Sequence, residues 1–175
     1  MTLERGLVQV YTGEGKGKTT AALGLALRAA GHGLRVEIIQ FMKGWPGYGE
    51  LASIDHLPTV TIRPFGRSGW VHPDHPEAED CQRAAEALAH ARHVLADKAA
   101  DLVVLDEVNV ALAYGLLELD EVLALLDARP DDVELILTGR GAHPDILERA
   151  DLVTEMCKIK HPYDRGIQAR KGIEF

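Results

Sequence analysis

The 175-residue chain is 46% hydrophobic and 26% charged, an ordinary globular balance that argues against disorder, a collagen repeat or a disulfide scaffold. Its 27 Asp and Glu against 19 Lys and Arg give a net charge of −8, the wrong sign for a nonspecific binder of nucleic acid or of an anionic membrane surface. No basic segment leads into an apolar stretch at the amino terminus and no run of about 18 apolar residues occurs, so a soluble, cytoplasmic protein without a membrane span is expected.

This length predicts one domain, residues 1–175, and neither a repeat nor a linker divides it. Leu7 to Tyr11 reads as a buried strand, and Lys18 to Ala30 as an Ala- and Leu-rich helix stopped by Gly31 and Gly33. Arg35 to Phe41 is a second strand, followed by a short Gly/Pro loop from Lys43 to Gly49. Thr59 to Pro64 is a third strand candidate, and Pro76 to Ala100 supports a long helix. Leu102 to Leu105 reads as a strand, Leu119 to Ala128 as a helix and Leu135 to Thr138 as another strand. Pro144 to Ala150 is a short helix and Leu152 to Met156 a last strand. Apolar strands without alternation, interleaved with helices, predict an α/β fold: a mostly parallel sheet covered on both faces, with ligands at the carboxyl ends of its strands.

The first strand runs directly into Thr12-Gly13-Glu14-Gly15-Lys16-Gly17-Lys18-Thr19-Thr20 and then into the helix. That context is the one a phosphate-binding P-loop needs, because backbone N–H groups and the positive helix end must converge on one anion. Lys18 is placed to neutralise phosphate oxygens and the Thr19 hydroxyl to ligate Mg²⁺ (or Mn²⁺). The consensus has glycine where this chain has Thr12, with extra glycines at Gly13 and Gly15. Asp106 and Glu107 end a buried strand where P-loop proteins hold their metal, and either one serves as ligand in this reading. No N-K-x-D guanine-reading motif occurs, which favours adenine.

The loop through Ala22, then Gly31-His-Gly33, Gln40-Phe-Met-Lys-Gly44 and Gly49-Glu50, resembles the ATP:corrinoid adenosyltransferases. Asp106-Glu107, Thr138-Gly-Arg140 with His143, Ala150-Asp151, Glu155-Met156, Lys160-His161, Gly166 and Gly172-Ile-Glu174 continue the likeness in order. The resemblance implies a three-layer P-loop fold of RecA type that transfers the 5′-deoxyadenosyl group of ATP to Co(I) of a corrinoid, cobalamin or cob(I)yrinic acid a,c-diamide, releasing tripolyphosphate. It further implies ATP bound in reverse, a homodimer, and a flavoprotein as reductant. On this reading Gly13, Glu14, Gly15, Lys16, Gly17, Lys18, Thr19, Thr20, Arg140 and Trp70 bind substrates. Lys18, Thr19 and Glu107 are the catalytic candidates, and Thr19, Asp106 and Glu107 the metal candidates. Because Co(I) is itself the nucleophile, the protein needs to place C5′ and stabilise the leaving triphosphate.

Relatives often carry Asn where this chain has Glu14, which predicts that Glu14 points outward or has a cation beside it. Trp70 matches the family's aromatic residues near the corrinoid, and is equally suited to anchor a loop; Ser68 stands where some relatives have an aromatic. Some relatives have an amino-terminal extension that covers the corrinoid, whereas here the first strand begins almost at once, which predicts a corrinoid site that is either more open or covered by other segments. His72 with His75 and His90 with His93 read as surface or satisfied histidines, and Cys81 and Cys157 as ordinary thiols. Lys158 to Phe175 carries five basic and two acidic residues, suited either to anion contact or to solvent. The rival readings are an ATPase or small-molecule kinase, in which Glu107 positions water or an acceptor hydroxyl, and a nucleotide-dependent switch.

Overall fold

Strands whose side chains are apolar on both faces must be sandwiched, and the central strands here obey that rule. A computed structural model describes residues 3–175. Its strands are β1 (Val8–Thr12), β2 (Val36–Phe41), β3 (Val60–Phe65), β4 (Leu102–Asp106), β5 (Glu134–Thr138) and β6 (Leu152–Glu155). They form one sheet in the order β3-β2-β4-β5-β1-β6, with every pairing parallel. All residues of β2 and β4 are buried, whereas all four residues of the edge strand β6 are exposed.

Helices α1 (Lys18–Gly31) and α2 (Gly49–Ile54) cover one face, and α3 (Ala78–Ala96), α4 (Val108–Ala113), α5 (Leu119–Asp127) and α6 (Pro144–Arg149) the other. That division follows from right-handed crossovers: the strand order runs from β1 outward to β3 and then turns back, so the connections must change face. Ala22, Ala26 and Ala29 form a stripe of small side chains on α1 that brings its backbone close to the sheet. On the other face Leu88, Leu105, Leu125, Leu135 and Ile146 fill a larger core.

The predicted helix from Pro76 to Ala100 is shorter at both ends. It starts at Ala78 behind a capping box in which the Glu77 and Asp80 side chains take each other's backbone N–H groups, and it stops where Lys98 turns left-handed at φ 47°. The short helices α2 and α4 and a 3-10 turn at Pro162–Arg165 have no counterpart in the sequence reading. Among the described residues no helix is long and apolar enough to cross a membrane.

Candidate functional site

Four strand ends meet at the carboxyl edge of the sheet. β1 opens into the glycine loop, in which Gly13 has φ 95° and Gly17, the residue capping α1, has φ 123°. A Cβ on Gly13 or Gly15 would lie 2.6 Å from the Met156 carbonyl oxygen, so the loop's extra glycines let it press against the segment leaving β6. Lys18 is buried, and its ammonium donates to the carbonyls of Gly13 and Gly15 at 2.6 and 2.7 Å. Burial and the nearby Arg140 charge hold its pKa below that of a free lysine. Glu14 points outward with the Arg140 Nε 3.5 Å from its carboxylate, so a cation of the protein itself accompanies it. Lys16 turns away to the carboxy-terminal segment, 2.9 Å from Glu174.

Asp106 is the hub of the buried polar cluster. One carboxylate oxygen accepts from the Thr19 hydroxyl at 2.8 Å and from the Thr138 hydroxyl at 2.7 Å; the other accepts from Lys43 Nζ at 2.7 Å and from the Gln40 amide at 3.3 Å. The topology explains the convergence, because β4 lies between β2, which delivers Gln40 and Lys43, and β5, which delivers Thr138. Thr138 also accepts the Glu107 backbone N–H at 2.9 Å. Two bulky residues here occupy the left-handed region, Met42 at φ 61° and Glu107 at φ 66°. Each such conformation costs on the order of 1–3 kcal/mol and is held by surrounding contacts.

Burial, with the Asp106 charge adding, raises the Glu107 pKa. Lys43 shows the opposite balance: burial, the largest single influence, works against its charge, but Asp106 together with Glu107 and Glu50 outweighs it and the pKa is raised. Two other fully buried side chains have polar atoms without a partner among the described residues, Gln40 at Oε1 and Asn109 at both amide atoms.

A cavity of about 1030 Å³ opens above this cluster. Its floor is the loop from Gly15 to Thr20, with Glu107 and Arg140 beside it, while Leu23, Leu27, Ile54, Leu57 and Val71 supply an apolar side. Trp70, 83% exposed, stands at the rim. The carboxy-terminal segment from Gly172 to Phe175 also lines the cavity, and Phe175 meets Trp45 edge to face at 5.2 Å.

Of the expected site residues, Gly15, Lys16, Gly17, Lys18, Thr19, Thr20, Glu107, Arg140 and Trp70 line the cavity. Asp106 supports it from below, and Gly13 and Glu14 lie to the side. His161 lines the cavity; His143 caps α6 by accepting the Asp145 N–H. His90 contacts Glu37 at 2.7 Å, and His72 stacks on His75. Lys43, Gln40 and Thr138 were without a role in the sequence reading. Their signal was position, since each falls at the carboxyl end of a strand flanking β4.

Strand, glycine loop, helix and the aspartate ending β4, which is separated from β1 by β5, define a three-layer α/β P-loop fold of RecA type. A KaiC-like protein from Pyrococcus horikoshii OT3 shares it with a TM-score of 0.58 over 86% of this chain and 73% of that one, at 20% identity, a likeness of fold alone. The family described as ATP:corrinoid adenosyltransferase BtuR/CobO/CobP matches residues 4–175, and the chain belongs to that family of enzymes. A corrinoid adenosyltransferase of Pseudomonas aeruginosa is 44% identical over 98% of this chain and 85% of its own length. One from Escherichia coli is 43% identical over 98% and 87%.

Proposed function

We propose that residues 1–175 act as one P-loop domain that transfers the 5′-deoxyadenosyl group of ATP to Co(I) of a corrinoid and releases tripolyphosphate, in adenosylcobalamin synthesis or salvage. The observation carrying this reading is the shared cavity: a phosphate-binding floor and a broad apolar side face the same space. In the transfer, the Co(I) electron pair forms the bond to C5′, the C5′–O5′ bond breaks, and its electrons leave on tripolyphosphate. Lys18 needs only to exchange two loop carbonyls for phosphate oxygens to neutralise that charge. The loop amides, Lys16 and Arg140 border the same space.

The donor set suits Mg²⁺ or Mn²⁺, since a hydroxyl and a carboxylate converge within 2.8 Å and both are hard oxygen donors. Thr19 and Asp106 would hold the cation, which would supply charge neutralisation for the polyphosphate, and Glu107 stands at the side of the cavity. Trp70 borders the corrinoid in this reading. A cytoplasmic homodimer and a flavoprotein reductant complete it by likeness to the family.

Incubation with ATP, Mg²⁺ and chemically reduced corrinoid tests the proposal. The expected products are a photolabile cobalt–carbon bond and tripolyphosphate; ADP or orthophosphate as the only products would instead assign an ATPase or kinase, with Glu107 positioning the acceptor.

A further inference from the structure

Lys43 reaches the buried Asp106 carboxylate from outside the glycine loop. Its ammonium lies 2.7 Å from one oxygen of Asp106 and 3.5 Å from the Thr19 hydroxyl, so it touches both groups that converge as oxygen donors. Its side chain is 16% exposed and that of Asp106 only 1% exposed. The Gln40 amide joins Asp106 to Glu50 at 3.3 Å on each side, and Glu107 follows Asp106 directly. Lys18 and Arg140 act on Glu107 from the cavity side, but Lys43 is the ammonium in contact with Asp106, where a divalent cation would balance the charge better than a monovalent one.

The backbone aims Lys43 at this place. Met42, immediately before it, is held left-handed at φ 61° although it carries a bulky side chain. The next residue, Gly44, packs against Gly66 so closely that neither position has room for a Cβ. Tyr48 lies beneath the ammonium, with its ring centroid 5.7 Å from Nζ. The ammonium therefore has a second resting surface on the cavity side, one step from Asp106.

We propose that Lys43 is an exchangeable cation of the protein itself: it pairs with Asp106 and Thr19, gives them up to a divalent cation that enters with the nucleotide, and moves its charge into the cavity. The proposal rests on the reading of Thr19 and Asp106 as the cation site. Its consequence is order. The free protein resists a bare divalent cation, because binding there must displace a charge already seated, whereas a cation arriving with polyphosphate brings the anion that receives Lys43.

Protein-bound Mn²⁺, measured by equilibrium dialysis of the full chain against Mn²⁺ alone and against Mn²⁺ with ATP, tests this. Lys43→Gln is expected to bind Mn²⁺ without ATP about tenfold more tightly than the unsubstituted protein; equal affinity overturns the proposal. Lys43→Arg grips the carboxylate at two points and is expected to weaken Mn²⁺ binding in the presence of ATP by about tenfold. It carries the test by itself if the Gln variant does not fold, and an unchanged affinity there overturns the proposal. Asp106→Asn separates the two ideas. If it abolishes Mn²⁺ binding while both Lys43 variants behave as the unsubstituted protein, the exchange is refuted and the cation site stands; if it binds Mn²⁺ normally, the site itself is refuted.

Discussion

A carboxylate that is 1% exposed needs its charge partners inside the protein, and Asp106 has an ammonium, two hydroxyls and an amide. Lys18 has a different arrangement, spending its hydrogen bonds on two loop carbonyls that a polyphosphate can replace. Lys18→Ala should therefore lower the single-turnover rate of adenosyl transfer by about 10²–10³, the effect of losing one preorganised charge partner; a quench-flow measurement with an unchanged rate would count against its role. Glu107 makes a prediction about stability. Burial raises its folded pKa above the ordinary 4.5, so the native protein holds a proton that the unfolded chain has lost, and stability falls as pH rises through that window. Glu107→Gln should consequently melt at a higher temperature than the unsubstituted protein at pH 7, with the difference closing as pH drops below about 4.5. That Lys18, Thr19 and the Asp106-Glu107 pair lie together was legible from motif and spacing, but not which of the two carboxylates meets Thr19. Lys43 was not, because its partner is 63 residues away and only the pairing of β2 with β4 brings them together.

At the level of elements, the strands were legible, as was the short α6 that begins at Pro144, whereas α2 and α4 were not. An uninterrupted apolar run such as that of β4 announces a buried strand. Helices α2 and α4 have six residues each, too few for a helical period to emerge, and α4 starts from the left-handed Glu107, a conformation that no residue preference foretells. The loops after β2 and β3 were readable as Gly-rich but not as neighbours. Their contact makes Gly66→Ala informative: its Cβ would lie 2.5 Å from the Lys43 backbone nitrogen. The substitution should move Lys43 and Tyr48, weakening ATP binding by about tenfold or more while far-ultraviolet circular dichroism stays the same. Unaltered affinity in isothermal calorimetry would show that the loop yields elsewhere.

Across the whole molecule, protection from solvent falls from the middle of the sheet to its margins. β4 is buried throughout, whereas β6 is exposed throughout and β3 is buried chiefly at Val60. Amide hydrogen exchange should follow that gradient, with β4 and β5 opening only in global unfolding and β6 exchanging several orders of magnitude faster. Comparable rates in β4 and β6 would contradict it. The parallel, doubly covered sheet was legible from the alternation of strands and helices, but the strand order was not, since a linear pattern does not say which strands become neighbours.

That order has a consequence for how the protein is made. β1 touches no strand of the first half of the chain: its partners are β5 and β6, with Val8 beside Leu135 and Gln9 beside Leu152. On the ribosome, the glycine loop emerges well before β5 and β6, the strands that wall its berth. A nascent chain arrested before β5 has the loop's residues but no place to set them, so nucleotide capture waits on the strands that follow β4.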